Sequence, residues 1–130
     1  MANHKILIAD RNALTMNMFS TVIQNIGLPW PIQATTGQLA IKEFKAQKID
    51  ISFVDFSLPD MHGLEVLKEI KALKEDAFIV MLCTDASEDN IQSAIQAKAS
   101  GFLIKPFQPY SVIRLIHKYE TSLFNKANKP

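Results

Sequence analysis

The sequence predicts an α/β protein: one doubly wound domain in which helices cover both faces of a five-stranded parallel sheet. Three observations predict this class. Short apolar runs alternate five times with segments of helical apolar spacing. The runs are nearly continuous in apolar residues, as in strands that are buried on both faces. Polar residues follow most runs directly, as expected where parallel strands end at one edge. Right-handed crossovers leave few topologies for this count, and we expect strand order 2-1-3-4-5.

Length and composition favour a small cytoplasmic protein. The 130 residues suffice for one domain, predicted over residues 1–124 and followed by a polar tail, residues 125–130. The net charge of +1 excludes a role in coating nucleic acid. The longest strongly apolar run, Phe78–Cys83, is less than half of a membrane span, and no apolar stretch of signal-peptide length begins the chain. A single cysteine cannot form an internal disulfide, which favours a reduced compartment.

The first half of the chain predicts three strands and two helices. Residues 5–9 (KILIA) form the first apolar run, and the helical spacing that follows ends at Gly27. Ile32–Ala34 predicts a short second strand, and Thr36 is a suitable cap for the second helix. Residues 51–54 predict the third strand. The apolar faces of the two helices contain Phe19, Val22, Ile23 and Ile26, and then Ala40, Ile41 and Phe44.

The second half predicts two more strands and three helices. Residues 57–63 (SLPDMHG) combine Pro, Asp and Gly and predict a turn. Phe78–Cys83 and residues 102–104 predict the fourth and fifth strands, and Ser87 is a suitable cap for the helix between them. The apolar stripes of the three helices are Val66, Leu67, Ile70 and Leu73, then Ile91, Ala94 and Ile95, and then Val112, Leu115, Ile116, Tyr119 and Leu123.

Four polar side chains follow four of the predicted strands. Asp10 follows the first strand, Asp55 the third, Thr84 the fourth and Lys105 the fifth. The first and third strands are neighbours in the expected order, so the two carboxylates should lie close together and repel. Mg²⁺ would compensate for this repulsion, and a lysine and a hydroxyl group nearby could bind a phosphoryl group on one carboxylate. The pattern favours phosphoryl chemistry at an aspartate; the alternative is polar residues that only cap the sheet.

Four segments, within a match from about Lys5 to Leu123, resemble the receiver domain of two-component response regulators. They are KILIAD (5–10), VDFSLPDMHGLEVL (54–67), LCTDAS (82–87) and ASGFLIKPF (99–107). The Asp-x-x-(Leu/Met)-Pro-x-Met-x-Gly segment and the Lys-Pro-Phe segment are specific when they occur together at this separation. The resemblance is to chemotaxis-regulator-like domains, and it implies the flavodoxin-like strand order given above.

The resemblance implies a phosphoryl acceptor beside a metal site. Asp55 resembles the aspartate that accepts the phosphoryl group. Asp10 resembles the first of two acidic metal-site residues, and the main-chain carbonyl of Ser57 falls where the family supplies another Mg²⁺ ligand. Together with the carboxylate of Asp55, these groups are the expected Mg²⁺ ligands.

The resemblance also implies three residues that respond to the phosphoryl group. Thr84 resembles the switch hydroxyl, which bonds the phosphoryl group. Lys105 resembles the lysine that contacts the acyl phosphate, and it implies a cis bond to Pro106. Phe102 occupies the position of the aromatic side chain that rotates inward on activation.

Two residues depart from the family pattern. Arg11 stands where the second acidic metal-site residue is usual, so Mg²⁺ binding is expected to be weak. Asp85 follows the switch hydroxyl where a small residue is usual, and its charge should disfavour a phosphoryl donor unless Arg11 pairs with it. Because a guanidinium suits carboxylates, we expect Arg11 to bridge Asp55 and Asp10 as the metal would; the alternative is that Arg11 points outward.

The leading interpretation is a signalling module without enzymatic turnover. A histidine kinase or phosphotransfer protein would phosphorylate Asp55, and a protein partner would bind the face formed by helix 4, strand 5 and helix 5. The alternative is a pseudo-receiver that acts without phosphorylation, which Arg11 favours. An aspartate-nucleophile phosphatase needs Asp-x-Asp after the first strand, where Asn12 interrupts the pattern, and no phosphate-binding glycine motif is present. His4 and His117 lack metal-ligand spacing and are expected at the surface, and His62 is expected to face solvent in the turn after the third strand.

Overall fold

The computed structural model describes residues 3–85 and 87–128. Its strands are β1 (Ile6–Ala9), β2 (Ile32–Ala34), β3 (Ile51–Asp55), β4 (Phe78–Cys83) and β5 (Gly101–Ile104). Its helices are α1 (Ala13–Asn25), α2 (Gly37–Ala46), α3 (Gly63–Leu73), α4 (Glu88–Gln96) and α5 (Pro109–Ala127). The strands are parallel and lie in the order β2-β1-β3-β4-β5, which confirms the predicted fold class and strand order.

The last helix is longer than the sequence predicts. Residues 125–130 were expected as a polar tail, but α5 continues through Ala127, and Lys126 in its last turn forms an ion pair with Asp76 before β4. Residues 125–127 are therefore helical, and residues 129–130 of the expected tail lie outside the described part of the chain. None of the helices in that part is long and apolar enough to cross a membrane.

Each face of the sheet has its own apolar core, because successive strand residues point to opposite faces. The strand residues in the two cores include Leu7, Val54 and Met81 on the side of α2 and α3, and Ile8, Phe53 and Leu82 on the side of α1 and α5. β1 and β3 are buried along their whole length, as their continuous apolar runs predict. The polar residues that follow these strands are thus placed on a rigid edge.

The N-terminus of α2 is capped by side chains from two places in the sequence. Thr36, the predicted cap, accepts a hydrogen bond from the Leu39 amide at 3.0 Å. Asp60, between β3 and α3, accepts from the amides of Gly37 at 2.8 Å and Gln38 at 3.0 Å. The hydrogen bonds from Gln38 and Gly37 hold the pKa of Asp60 below its usual value. The first turn of α2 is therefore connected to the segment that follows β3.

His4 is buried, so the expectation that it lies at the surface is wrong. The side chain packs at the amino edge of the sheet, where its Nε2 atom lies 2.9 Å from Oε2 of Glu120. Its ring packs edge-on against Tyr119, with 5.1 Å between the ring centroids. Burial and the nearby carboxylate of Asp50 raise the pKa of Tyr119 to about 12. This cluster fixes α5 against the sheet, at the edge opposite the strand-end polar residues.

We expect Lys98→Gly to stabilise the protein by about 0.5–1 kcal/mol. Lys98, which follows α4, has a left-handed backbone conformation (φ 63°). The residue in the comparable conformation after α1 is a glycine, Gly27 (φ 90°). The left-handed region costs an L-residue about 1–2 kcal/mol, of which the greater unfolded-state freedom of glycine offsets roughly 0.5–1 kcal/mol. The buried residue of α4 is the small Ala94, so this helix has little apolar packing. The conformation of its C-terminal turn should therefore matter for its stability.

Urea unfolding monitored by circular dichroism measures this gain. Lys98→Ala is the matched control: it removes the same side chain but keeps a β-carbon in the left-handed region. A gain of the same size in Lys98→Ala would show that the side chain, rather than the backbone, is the cause.

Candidate functional site

Three of the predicted site residues meet at the carboxyl edge of the sheet. β1 and β3 pair with Ala9 opposite Val54, so Asp10 and Asp55 stand side by side. Both carboxylates are buried. The ammonium group of Lys105, which follows β5, forms ion pairs with Oδ2 of both. We call these three side chains the carboxylate pocket; the sequence predicted their juxtaposition, and the structure brings them together.

The other carboxylate oxygens of the pocket accept hydrogen bonds from the main chain. Oδ1 of Asp10 accepts from the amide of Asn12 at 2.8 Å, and Oδ1 of Asp55 accepts from the amide of Ser57 at 2.8 Å. These two amides are not among the site residues predicted from the sequence. The aspartates themselves could have indicated them, because an aspartate side chain often accepts a hydrogen bond from the amide two residues later in a turn. All four carboxylate oxygens therefore have a donor within the protein.

Lys105 forms ion pairs with both carboxylates of the pocket, and these contacts affect the pKa values of Asp55 and Lys105. Burial raises the pKa of Asp55 above its usual value, although the hydrogen bonds from Lys105 and the Ser57 amide act in the opposite direction. Burial alone would lower the pKa of Lys105, but its hydrogen bonds to Asp10 and Asp55 raise the pKa overall. Lys105 is thus held as a cation, whereas burial opposes a negative charge on Asp55.

The start of α3 fits tightly against the end of β3. Gly63 donates its amide hydrogen to the carbonyl of Phe56 at 2.8 Å. A β-carbon at position 63 would lie 2.1 Å from the Asp55 carbonyl oxygen, so only glycine fits there. His62 is exposed, as expected, and its Nδ1 atom accepts from the amide of Leu64 at 3.1 Å as the cap of α3. This packing fixes the backbone on both sides of the turn that follows Asp55.

Arg11 contacts Ser57 rather than a carboxylate. Its Nε–H donates to the main-chain carbonyl oxygen of Ser57 at 3.0 Å, and its Nη2 atom donates to the Ser57 hydroxyl at 3.3 Å. Within the described residues, Arg11 forms no ion pair with Asp10, Asp55 or Asp85. The hypothesis that Arg11 bridges the carboxylates is therefore wrong in this structure, because Lys105 bridges them instead.

The expected Mg²⁺ ligands do not fit a divalent cation in this arrangement. Both carboxylates are paired with Lys105, and the third oxygen, the carbonyl of Ser57, accepts a hydrogen bond from a guanidinium cation. A divalent ion bound to that carbonyl would lie against Arg11. Within the described residues, no cluster of three or more acidic, histidine or cysteine side chains offers another metal site.

The remaining predicted site residues surround the carboxylate pocket. Thr84 is exposed after β4 and lines a cavity of about 330 Å³ together with Lys105 and Phe107. The Lys105–Pro106 peptide bond is cis. Phe102 is half-buried on β5, and its ring packs edge-on against Phe56, with 5.9 Å between the centroids. Phe102 therefore contacts the residue that directly follows Asp55.

Comparison with known proteins identifies the family. The family model described as the response regulator receiver domain matches residues 6–117. The chain belongs to the receiver-domain family of response regulators. The receiver domain is 32% identical to the chemotaxis protein CheY of Thermotoga maritima over 114 residues, which cover 88% of this chain and 95% of that protein. It is 33% identical to CheY of Bacillus subtilis over 115 residues, covering 88% and 96%.

A solved structure of a chemotaxis protein has the same fold as this receiver domain. The crystallised chemotaxis protein CheY4 of Vibrio cholerae superposes with a TM-score of 0.84 at 26% identity, covering 91% of this chain and 99% of that chain. Receiver domains of this type are signalling modules that interact with kinases and downstream proteins, and they generally bind Mg²⁺ at the acidic site.

Proposed function

We propose that this receiver domain accepts a phosphoryl group on Asp55 from a histidine kinase or a phosphotransfer protein. The difference in burial between the two carboxylates supports this choice. Asp10 has no exposed surface, whereas Asp55 is 6% exposed and can be reached from outside. The ammonium of Lys105 already contacts Asp55, so it is placed to neutralise part of the charge of a phosphoryl group there. Thr84 offers a hydroxyl donor on the same side of the pocket.

The transfer balances as a simple displacement at phosphorus. An oxygen of Asp55 forms the new P–O bond, and the P–N bond of a phosphohistidine donor breaks. The leaving imidazole nitrogen keeps the bonding electrons and takes a proton from solvent. Burial disfavours the charge of Asp55 and raises its pKa, while the hydrogen bond from Lys105 acts in the opposite direction, so the attacking oxygen is poorly solvated and has a cation beside it.

The phosphorylated domain would signal through the face formed by α4, β5 and α5. Large apolar side chains are exposed there on all three elements: Ile95 at 67%, Ile104 at 46% and Tyr110 at 71%. Exposed apolar side chains of neighbouring elements are typical of protein contact sites. Phe102 on β5 packs on the residue after Asp55 and so connects the carboxylate pocket to this face.

The test is intact-mass measurement after incubation with a small phosphodonor such as acetyl phosphate. We expect one added phosphoryl group, which Asp55→Asn abolishes because no other carboxylate is both reachable and paired with Lys105. Glu69→Gln is the control: it removes an exposed carboxylate of α3 that is not part of the pocket and should keep full labelling. Full labelling of Asp55→Asn would contradict the assignment.

A pseudo-receiver is the second candidate, and the contact between Arg11 and Ser57 favours it. In that case the domain binds its partner in a fixed conformation and phosphorylation adds nothing. Absence of label on the wild-type protein with both a small phosphodonor and a phosphorylated histidine kinase, together with unchanged partner binding in Asp55→Asn, would select this candidate.

A further inference from the structure

We infer that Arg11 is a built-in cation of the carboxylate pocket, which takes the place of a divalent metal and excludes it. The inference deepens the proposed function and rests on the receiver pocket described above. It concerns how the pocket is regulated: a pocket with its own second cation does not depend on Mg²⁺ for its resting structure. The main support is the hydrogen bond that Arg11 Nε donates to the carbonyl oxygen of Ser57.

Each candidate metal ligand of the pocket already accepts a hydrogen bond within the protein. The four carboxylate oxygens of Asp10 and Asp55 accept from Lys105 and from two main-chain amides. The carbonyl oxygen of Ser57 accepts from Arg11, which also binds the hydroxyl of the same residue. A bound Mg²⁺, with oxygen ligands at about 2.0–2.1 Å, would compete with the cationic donors Lys105 and Arg11 for these oxygens.

The formal charges support the same inference. The two carboxylates and Lys105 of the pocket, together with the nearby Arg11, carry no net charge. An aspartate at position 11 would instead give three carboxylates and one ammonium, a deficit of two positive charges that one Mg²⁺ satisfies. Adding Mg²⁺ to these groups as they stand would leave two uncompensated positive charges beside two buried carboxylates; solvent screens the exposed Arg11 in part, but the excess charge still disfavours the ion.

Arg11 is held by two contacts to one residue, which suits a guanidinium better than an ammonium. The planar fork of the guanidinium presents Nε–H and Nη2–H to different acceptors of Ser57 at 3.0 and 3.3 Å. The amide of Ser57 in turn donates to Asp55. Arg11 is therefore connected to the phosphoryl-accepting carboxylate through one residue, and the cation does not cover the carboxylate itself.

Calorimetric titration with Mg²⁺ alone, without a phosphodonor, tests the inference. We expect little or no Mg²⁺ binding to the wild-type protein, and binding at least about tenfold tighter in Arg11→Asp, because a repelling charge is replaced by an attracting one. Thermal unfolding should show a Mg²⁺-dependent rise of Tm in Arg11→Asp alone. Arg114→Asp is the matched control, since it changes the net charge equally at an exposed site on α5.

Three results would overturn the inference. They are Mg²⁺ binding to the wild-type protein as tight as to Arg11→Asp, absence of binding to both, and an equal gain in Arg114→Asp. If Arg11→Asp does not fold, Arg11→Ala also removes the cation, and the Mg²⁺-induced shift of the Ser57 amide resonance gives the same comparison. The proposed function is judged separately, because it fails only if Asp55 takes no phosphoryl group, whatever the metal titration shows.

Discussion

Lys105→Met is expected to lower the free energy of unfolding at pH 7 by about 3–5 kcal/mol, as is usual when one partner of a buried ion pair is removed. The methionine keeps most of the side-chain volume but leaves the carboxylates of Asp10 and Asp55 buried without their shared cation. The side chain of Lys105 is only 14% exposed, so water cannot readily replace its ammonium group. Urea unfolding at pH 7 measures the loss.

The loss in Lys105→Met should depend on pH in a defined direction. Burial raises the pKa of Asp55, so in this group the folded form binds its proton at higher pH than the unfolded chain does. The contribution of Asp55 to the free energy of unfolding is therefore fully present below the pKa that Asp55 has in the unfolded chain. It is lost as the pH rises through the pKa that Asp55 has in the folded protein. Removing Lys105 removes a contribution that lowers this pKa. The deficit of the variant should therefore shrink as the pH falls from 7 toward about 4, where carboxylates take up protons.

Two variants check this explanation of the Lys105 effect. Lys68→Met removes an exposed lysine of α3 and should leave stability nearly unchanged. In the double variant Lys105→Met/Asp55→Asn, the second substitution removes one of the uncompensated charges and should recover part of the loss. A Lys105→Met protein as stable as the wild type at pH 7, or a deficit that grows as the pH falls, would contradict the prediction.

Gly63→Ala is expected to cost about 3 kcal/mol or more, the upper range for forcing extra atoms into a packed site. The new β-carbon would lie 2.1 Å from the Asp55 carbonyl oxygen and 2.9 Å from the Phe56 Cα atom. These are main-chain atoms, so relief requires the end of β3 or the start of α3 to move. We therefore expect slower phosphoryl labelling of Asp55 as well as the loss of stability.

Gly27→Ala is the control for Gly63→Ala. A β-carbon at position 27 meets no atom within 4 Å, but the backbone there is left-handed, with φ of 90°. Its expected cost is the left-handed strain less the unfolded-state freedom of glycine, about 0.5–1 kcal/mol in all, without an effect on labelling. Equal losses in the two variants would show that the close contact at Asp55 is not the cause of the Gly63→Ala effect.

The sheet and the carboxylate pocket can be predicted well from the sequence, because both depend on the pattern of apolar residues in the strands and on which residue directly follows each strand. A continuous apolar run requires burial on both faces, and the residue that ends such a run lies at the edge of the sheet. This places Asp10 and Asp55 side by side once the strand order is known. Lys105 reaches them because it follows the edge strand β5 and has a side chain long enough to cross to β3.

Other parts could not be predicted because they depend on partners that are distant in sequence. The buried position of His4 requires Glu120 and Tyr119, which come to it only when α5 packs. The partner of Arg11 was predicted incorrectly because a long, exposed side chain has many rotamers and several acceptors within reach. The choice depends on Lys105, which already occupies the carboxylates and leaves the Ser57 carbonyl as the available acceptor.

The connection between Asp60 and α2 has a consequence for local opening of the domain. Asp60 lies three residues after Ser57 in the segment between β3 and α3, and it accepts the amide hydrogens of Gly37 and Gln38. Fraying of the first turn of α2 and displacement of this segment therefore break the same hydrogen bonds and occur as one cooperative event. Hydrogen exchange at the Gly37 amide thus reports on the mobility of the chain that follows Asp55.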